Sequence, residues 1–271
     1  MAPATVLKKM ARTCVPQPIR TTTRQQIARF RYRGSSFQCP MCNAWLDQLL
    51  PHGHDHPVLK QLDIVGGGHR DAATCPVCLA TDRERLVYLY LKLKARLFET
   101  DPVRLLHVAP EASLLHVLMR NKNIDYLSAD LQAPHVMMPM DLCDIPLGDN
   151  TFDVILCNHV LEHIADDQQA MRELCRVLKP SGFAILQTPI SRKLDKTYED
   201  QSITDPEGRA REYGQWDHVR VYGADYRQRL SDAGFYVEHF DWIDDGDFAF
   251  HSEMTHGLNP DEVLHIARKL Y

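Results

Sequence analysis

From Arg104 onward the chain alternates short apolar runs with stretches of helical period, and no other feature limits its fold so tightly. The runs RLLHVA, DYLSAD, FDVILCN and FAILQTPI are separated by a helical pattern over 112–121, a loop, and a second helical pattern over 159–178. Strand–helix–strand repetition predicts an α/β fold with a Rossmann-like, doubly wound, mostly parallel sheet. Ligands of such sheets lie beyond the carboxyl ends of the strands, near the point where strand order reverses. The informative residues therefore end the apolar runs: Ala109-Pro110-Glu111, Asp130, Asp141 and Cys157-Asn158-His159.

Ahead of this region, four of the eight cysteines form two C-P-x-C knuckles, Cys39/Cys42 and Cys75/Cys78, whereas Cys14, Cys143, Cys157 and Cys175 stand alone. Paired knuckles are a zinc signature. Two thiolates from each would close a tetrahedral site with no open position, so the expected ion is structural, in a small zinc ribbon. Between the knuckles, His52, His54, His56 and His69 sit in polar, Pro-flanked sequence and are read as solvated turn residues. Gly66-Gly67-Gly68 is read as a flexible turn, since no Lys-Ser/Thr follows it.

Composition is that of a globular chain, 44% hydrophobic and 25% charged, with no 18-residue apolar run for a membrane span. The net charge of −5 hides an asymmetry: residues 1–46 hold eight Lys/Arg and no Asp or Glu, leaving the remaining 225 at −13. This basic arm reads either as a handle for an anionic membrane or RNA surface or as a solvated terminus. The start offers only Val6-Leu7 before Lys8-Lys9, too little for a secretory signal, so a cytoplasmic protein is expected, with peripheral membrane association left open. Leu86, Leu89, Leu93 and Leu97 lie at helical spacing after the second knuckle, and Asp101-Pro102 breaks the pattern. The expected organisation is a basic arm (1–34), a zinc-ribbon module (35–82), a connecting helix (83–101), the α/β domain (102–250) and a C-terminal segment (251–271).

The segments RLLHVAPE, MDLCDIPLGDNTFDVILCNHVLEHI, MRELCRVLKPSGFAILQTPI and YGQWDHVRVYGADYRQRLSDAGF resemble the class I S-adenosylmethionine-dependent methyltransferases of the type 11 kind. The likeness is specifically to a bacterial group in which two C-P-x-C knuckles precede the catalytic domain. It covers about residues 34–245 and implies a seven-stranded sheet, S-adenosylmethionine as cofactor and a structural Zn2+. It implies further that Asp130, with Leu131 beside it, meets the ribose hydroxyls, and that Asp141 and the Leu142 backbone meet the adenine. A carboxylate about 20 residues past the first strand–helix turn has that ribose role in doubly wound nucleotide sites generally. Ala109, Pro110, Glu111 and Asn158 would surround the methionine moiety. The first loop departs from the family's Asp-x-Gly-x-Gly-x-Gly: His107-Val-Ala-Pro-Glu-Ala-Ser113 contains no glycine, so the backbone must approach the ligand by another conformation.

Methyl transfer is an in-line displacement in which alignment comes first. His159, His218 and Arg220 are the candidates for that work, with Arg220 gripping an anionic group on the acceptor and the 188–222 region covering the pocket. His159, Glu162 and His163, at i, i+3 and i+4 of one helix, could instead join His218 around a divalent ion. The expected acceptor is a small molecule, a sugar or a lipid-linked glycan. The alternatives are a zinc-ribbon RNA methyltransferase and a non-catalytic zinc-ribbon/Rossmann scaffold.

Overall fold

The computed structural model describes residues 21–246 and 254–270. A basic helix, α1 (Thr21–Arg31), leads into β1 (Arg33–Gln38), β2 (Trp45–Leu46), β3 (Leu50–His52), α2 (Pro57–Gln61), β4 (Ile64–Val65) and β5 (Arg70–Thr74). β1 pairs antiparallel with β2, and β3 with β5. The two knuckles are one turn made twice. The Asn43 N–H donates to the Cys39 carbonyl at 2.8 Å and the Leu79 N–H to that of Cys75 at 2.9 Å. Each closing residue takes a left-handed backbone, φ 54° at Asn43 and 65° at Leu79, which reverses the chain directly after the second sulfur.

Helix α3 (Asp82–Leu89) opens where the Thr81 hydroxyl accepts the Glu84 N–H, and it runs on as a π turn over Tyr90–Lys94. The connecting helix thus starts one residue early and stops well short of 101, because Arg96, at φ 48°, turns the chain away. Arg85 is fully buried and donates to the carbonyls of Ala73, Ala80, His256 and Gly257, tying the second knuckle to the C-terminal segment.

The main domain runs β6 (Val103–Val108), α4 (Ala112–Arg120), β7 (Ile124–Asp130), β8 (Met138–Pro139), β9 (Phe152–Cys157), α5 (Asp167–Val177), β10 (Leu178–Ile185), β11 (Ile190–Ser191), α6 (Pro206–Tyr213), α7 (Tyr226–Asp232), β12 (Tyr236–Asp241) and β13 (Val263–Arg268). Seven strands form one sheet in the order β12-β13-β10-β9-β6-β7-β8. β13 is antiparallel to both neighbours, and the pairs from β10 through β8 are parallel. Both faces are covered: Leu106 and Val108 of β6 enter one apolar cluster and Leu105 the other, so the strand reads as a continuous apolar run. The Rossmann-like architecture expected from the alternation is the one present.

Two boundaries need correction. The domain does not end at 250, because β13 comes from the C-terminal segment and lies between β10 and β12, with Leu264 and Ile266 each 1% exposed. The helix expected over 159–178 is also broken: a 3-10 turn covers Leu161–His163 and α5 begins only at Asp167, where the Asp166 side chain accepts the Gln169 N–H at 2.9 Å. Arg220 causes the break by taking the carbonyls of Leu161, Ile164 and Ala165, which a continuous helix would use internally.

The ribbon is docked on the domain rather than tethered to it. β4 pairs antiparallel with β11, Arg192 grips Asp63 at 2.9 and 3.0 Å, and Val58 and Leu59 pack with Tyr213 and Val221. This brings the 52–70 stretch over the carboxyl ends of the sheet strands.

Candidate functional site

The four knuckle cysteines converge, with their sulfurs all within 4.8 Å of one another. A tetrahedral ion about 2.3 Å from each sulfur requires sulfur–sulfur edges of about 3.8 Å. Cys39 Sγ lies 3.5 Å from Cys78 and Cys42 Sγ 3.8 Å from Cys75, so the donor set fits zinc. Cys39 and Cys75 are buried, and all four positions are filled by protein, which leaves nothing open for chemistry.

Strand order reverses between β6 and β9. Just past the ends of these strands the chain takes a left-handed backbone at both, φ 43° at Ala109 and 55° at His159. Ala109 therefore adopts the conformation that a glycine would supply in the first loop, and the missing glycine is not a missing turn. A cavity of about 230 Å³ opens here, lined by Glu84, Ala109, Glu111, Asn158 and His159 among others. Glu111 lies 2.6 Å from His107 Nε2 and accepts the Asn158 side-chain amide at 3.1 Å. Burial opposes its charge, but His107 and Asn158 outweigh it and hold the carboxyl below its ordinary range. Asn158 is 6% exposed and its Oδ1 has no hydrogen-bond partner among the described residues, leaving an acceptor available at the cavity wall.

Asp130 ends β7, and its Oδ1 accepts the N–H groups of Gln132 and Ala133 at 2.8 and 2.7 Å. Asp141 is fixed in the same way by the Cys143 N–H at 2.8 Å. The Met140 N–H donates to the Asp130 carbonyl at 2.9 Å, so the two acidic positions are neighbours along one rim. Leu131 is 63% exposed beside Asp130 and Leu142 is buried. The two carboxylates lie outside the small cavity, at strand ends on the β7/β8 side of β6. These positions fit S-adenosylmethionine: orphaned Asn158 Oδ1 for an ammonium, and pinned carboxylates for hydroxyl and amino donors.

A second cavity, about 430 Å³, adjoins the first, and Arg83 and His159 line both. One wall is His159, Glu162 and His163; the 188–222 region adds Gly214, Gln215 and His218; the ribbon supplies His52, His54, Gly66, Gly67 and Arg70. Arg83 holds the partition in place, donating to the Gly66 carbonyl and to His159 Nε2, the latter at 2.7 Å. Burial opposes the charge of Glu162, but the imidazoles of His159, His218 and His163 prevail and hold its carboxyl at about 2. Burial pushes His218 down to about 4, leaving its ring neutral near pH 7. Burial and the guanidinium groups of Arg83 and Arg70 likewise lower His52.

Several expectations change. Arg220 is 3% exposed, its guanidinium spent on Glu199 and three backbone carbonyls, so it positions the 161–165 turn and has no free fork for an acceptor anion. His159 and His218 do reach the larger cavity, but His159 is held between Arg83 and Glu162 rather than standing as a free base. His52 and His54 are exposed, as expected of solvated turn residues, and with Gly66 and Gly67 they also line the larger cavity, where β4–β11 pairing carries them. Arg83 escaped the sequence reading because it looks like a solvated position of an amphipathic helix. Cys14 and the first twenty residues of the basic arm lie outside the described residues.

Residues 103–186 match the methyltransferase domain family, a stretch from β6 to just past β10 that includes the switch point. Over 84 residues the chain is 32% identical to the ubiquinone/menaquinone biosynthesis C-methyltransferase UbiE of Idiomarina loihiensis, covering 30% of this chain and 29% of that protein. A probable S-adenosylmethionine-dependent methyltransferase of Mycolicibacterium smegmatis is 28% identical over 128 residues, 47% of this chain and 41% of the relative. The chain thus spans less than half the length of these relatives. The solved structure of the cyclase SpnF is similar in fold, with a TM-score of 0.50 and 19% identity over 73% of this chain and 84% of that one. The similarity to methyltransferases is thus concentrated in residues 103–186, and the Mycolicibacterium smegmatis relative is named as S-adenosylmethionine-dependent.

Proposed function

We propose that the chain is an S-adenosylmethionine-dependent methyltransferase whose acceptor is a small, oxygen-rich molecule held in the 430 Å³ cavity between the domain and its zinc ribbon. The observation that carries this reading is the pair of cavities meeting at Arg83 and His159. One has the polar groups suited to the methionine end of the cofactor, and the other has a volume typical of small-molecule sites. When bound, the cofactor supplies the electrophilic methyl group. Asn158 and Glu111 hold its methionine end, and Asp130 and Asp141 its nucleoside. His159, kept in one orientation by Arg83, forms the partition across which the acceptor is aligned. His52, His54, His163 and His218 offer nitrogen donors or acceptors to the acceptor's oxygens.

A small-molecule acceptor is preferred over RNA because the larger cavity, about 430 Å³, is lined from both the domain and the ribbon and has the size of a small-molecule site. The UbiE relatives, named for ubiquinone and menaquinone biosynthesis, support the same class. The anionic partner of the arm is read as a membrane surface. α1 exposes Ile27 and Phe30 beside Arg24 and Arg31, a basic amphipathic face of the kind that settles into a lipid interface. Among the described residues no helix is long and apolar enough to cross a membrane.

The test is transfer of a radiolabelled methyl group from S-adenosylmethionine to a small-molecule extract and, separately, to total RNA. Labelling of the small-molecule fraction that is lost in an Asn158→Asp/His163→Ala double variant supports the reading; labelling of RNA alone overturns the acceptor class.

A further inference from the structure

The larger cavity holds a group of side chains that methyl transfer by alignment does not require. Glu162, His163 and His218 each place one donor atom within 4.8 Å of the other two. They reach this point from two separated segments: the 3-10 turn after β9 and the loop that follows α6. Arg220 fixes one segment against the other, since its carbonyl contacts hold the turn and the Val219 N–H donates to the Glu162 carbonyl at 2.9 Å. The convergence is therefore built into the backbone rather than left to side-chain rotation.

We infer that Glu162, His163 and His218 form a binding site for a divalent first-row transition-metal ion, open to the acceptor cavity. Glu162 is 1% exposed, and its Oε1 makes no hydrogen bond among the described residues, with His159 Nδ1 facing it at a long 3.4 Å. A buried carboxylate oxygen with only that long contact still has room for a cation to complete it. The other oxygen accepts the Thr188 hydroxyl at 3.1 Å, which fixes the carboxylate plane. His163 Nδ1 lies 3.3 Å from Asp217, leaving Nε2 for the ion, and a carboxylate behind a ligating imidazole is the usual outer support of such sites. Asp217 is held in turn by the Gln215 side-chain amide at 2.8 Å. His159 stays outside the set, because its Nε2 is taken by Arg83 and its Nδ1 stands 3.4 Å from Glu162.

Two imidazoles and one carboxylate suit Zn2+, Co2+, Mn2+ or Fe2+ better than Mg2+ or Ca2+, which prefer oxygen throughout. Three protein ligands leave at least one position facing the cavity, where an acceptor hydroxyl or carboxylate oxygen can bind. That role for the ion rests on the methyl-transfer reading; its binding does not.

The test uses full-length protein with its ribbon zinc in place, titrated with Co2+ and followed by visible absorption. The expected result is one further ion per chain with weak nitrogen/oxygen-type bands and no sulfur-to-cobalt charge transfer. Glu162→Gln and His218→Ala should each weaken uptake about tenfold or more, while His52→Ala, in the same cavity but outside the set, should retain it. Near-UV circular dichroism identifies any variant that fails to fold, and His163→Gln then serves in its place. No second ion at millimolar Co2+, or wild-type uptake by a folded Glu162→Gln/His218→Ala double variant, overturns the inference. S-adenosylhomocysteine binding measured on the same wild-type sample tells this failure apart from failure of the methyltransferase reading.

Discussion

The two groups of metal-type ligands in this molecule differ in a way that separates structure from chemistry. At the ribbon, four soft sulfurs from two identical turns surround one point and saturate it. At the end of β9, two imidazoles and a carboxylate converge from unrelated turns and leave the cavity side open. The first arrangement can only stabilise; the second can take a ligand. Yet the two are coupled, because Arg85 joins the second knuckle to α3 and the C-terminal segment, and the 52–70 stretch between the knuckles walls the larger cavity.

The largest effect is expected from breaking the closed site. Cys75→Ser should release the ribbon ion, whose binding in small zinc domains is worth on the order of 10 kcal/mol of folding free energy. It should also abolish methyl transfer by loosening the cavity wall. Zinc content and activity are the measurements, and full activity in a zinc-free variant would uncouple the two regions. Next comes Arg220→Ala, which takes the guanidinium from the Ile164 and Ala165 carbonyls and from Glu199, while the Leu161 carbonyl keeps the Tyr222 hydroxyl. A loss of about 2–4 kcal/mol, mainly from the two orphaned carbonyls, is expected from denaturant unfolding. Unchanged stability combined with a raised KM for an anionic acceptor would restore Arg220 to the binding site. The smallest is Gly214→Ala. Gly214 caps α6 at φ 84°, and an added Cβ would fall 2.3 Å from Leu59 Cδ2. About 1–2 kcal/mol and a partial loss of turnover are expected, because both residues line the cavity.

The sequence was most legible where the determinants are local. C-P-x-C spacing specifies a turn by itself, and the apolar runs of β6, β7, β9 and β10 announce buried parallel strands. Legibility failed where distant segments decide. The periodicity over 159–178 is genuinely helical, but Arg220, far along the chain, claims the carbonyls needed to start it early. Helical offsets group His159, Glu162 and His163 and join them to His218; Glu162 and His163 do meet His218, but from a 3-10 turn and without His159. The ribbon's share in the cavity depends on the pairing of Ile64–Val65 with Ile190–Ser191, two-residue strands with no periodic signal. β13 has a clear VLHIAR run but follows β12 after a long connection, so it reads as an appendage.

The central claim is that the switch-point cavity and the β7 rim bind S-adenosylmethionine, and calorimetry with S-adenosylhomocysteine tests it most directly. Wild type should bind one molecule per chain. Asp130→Ala should lose charged hydrogen bonds worth roughly 1.5–3 kcal/mol each and bind about tenfold or more weakly, while His52→Ala, on the ribbon side of the partition, should bind as wild type does. The account is contradicted if folded wild type gives no binding, or if folded Asp130→Ala and Asp141→Ala both bind as tightly as wild type.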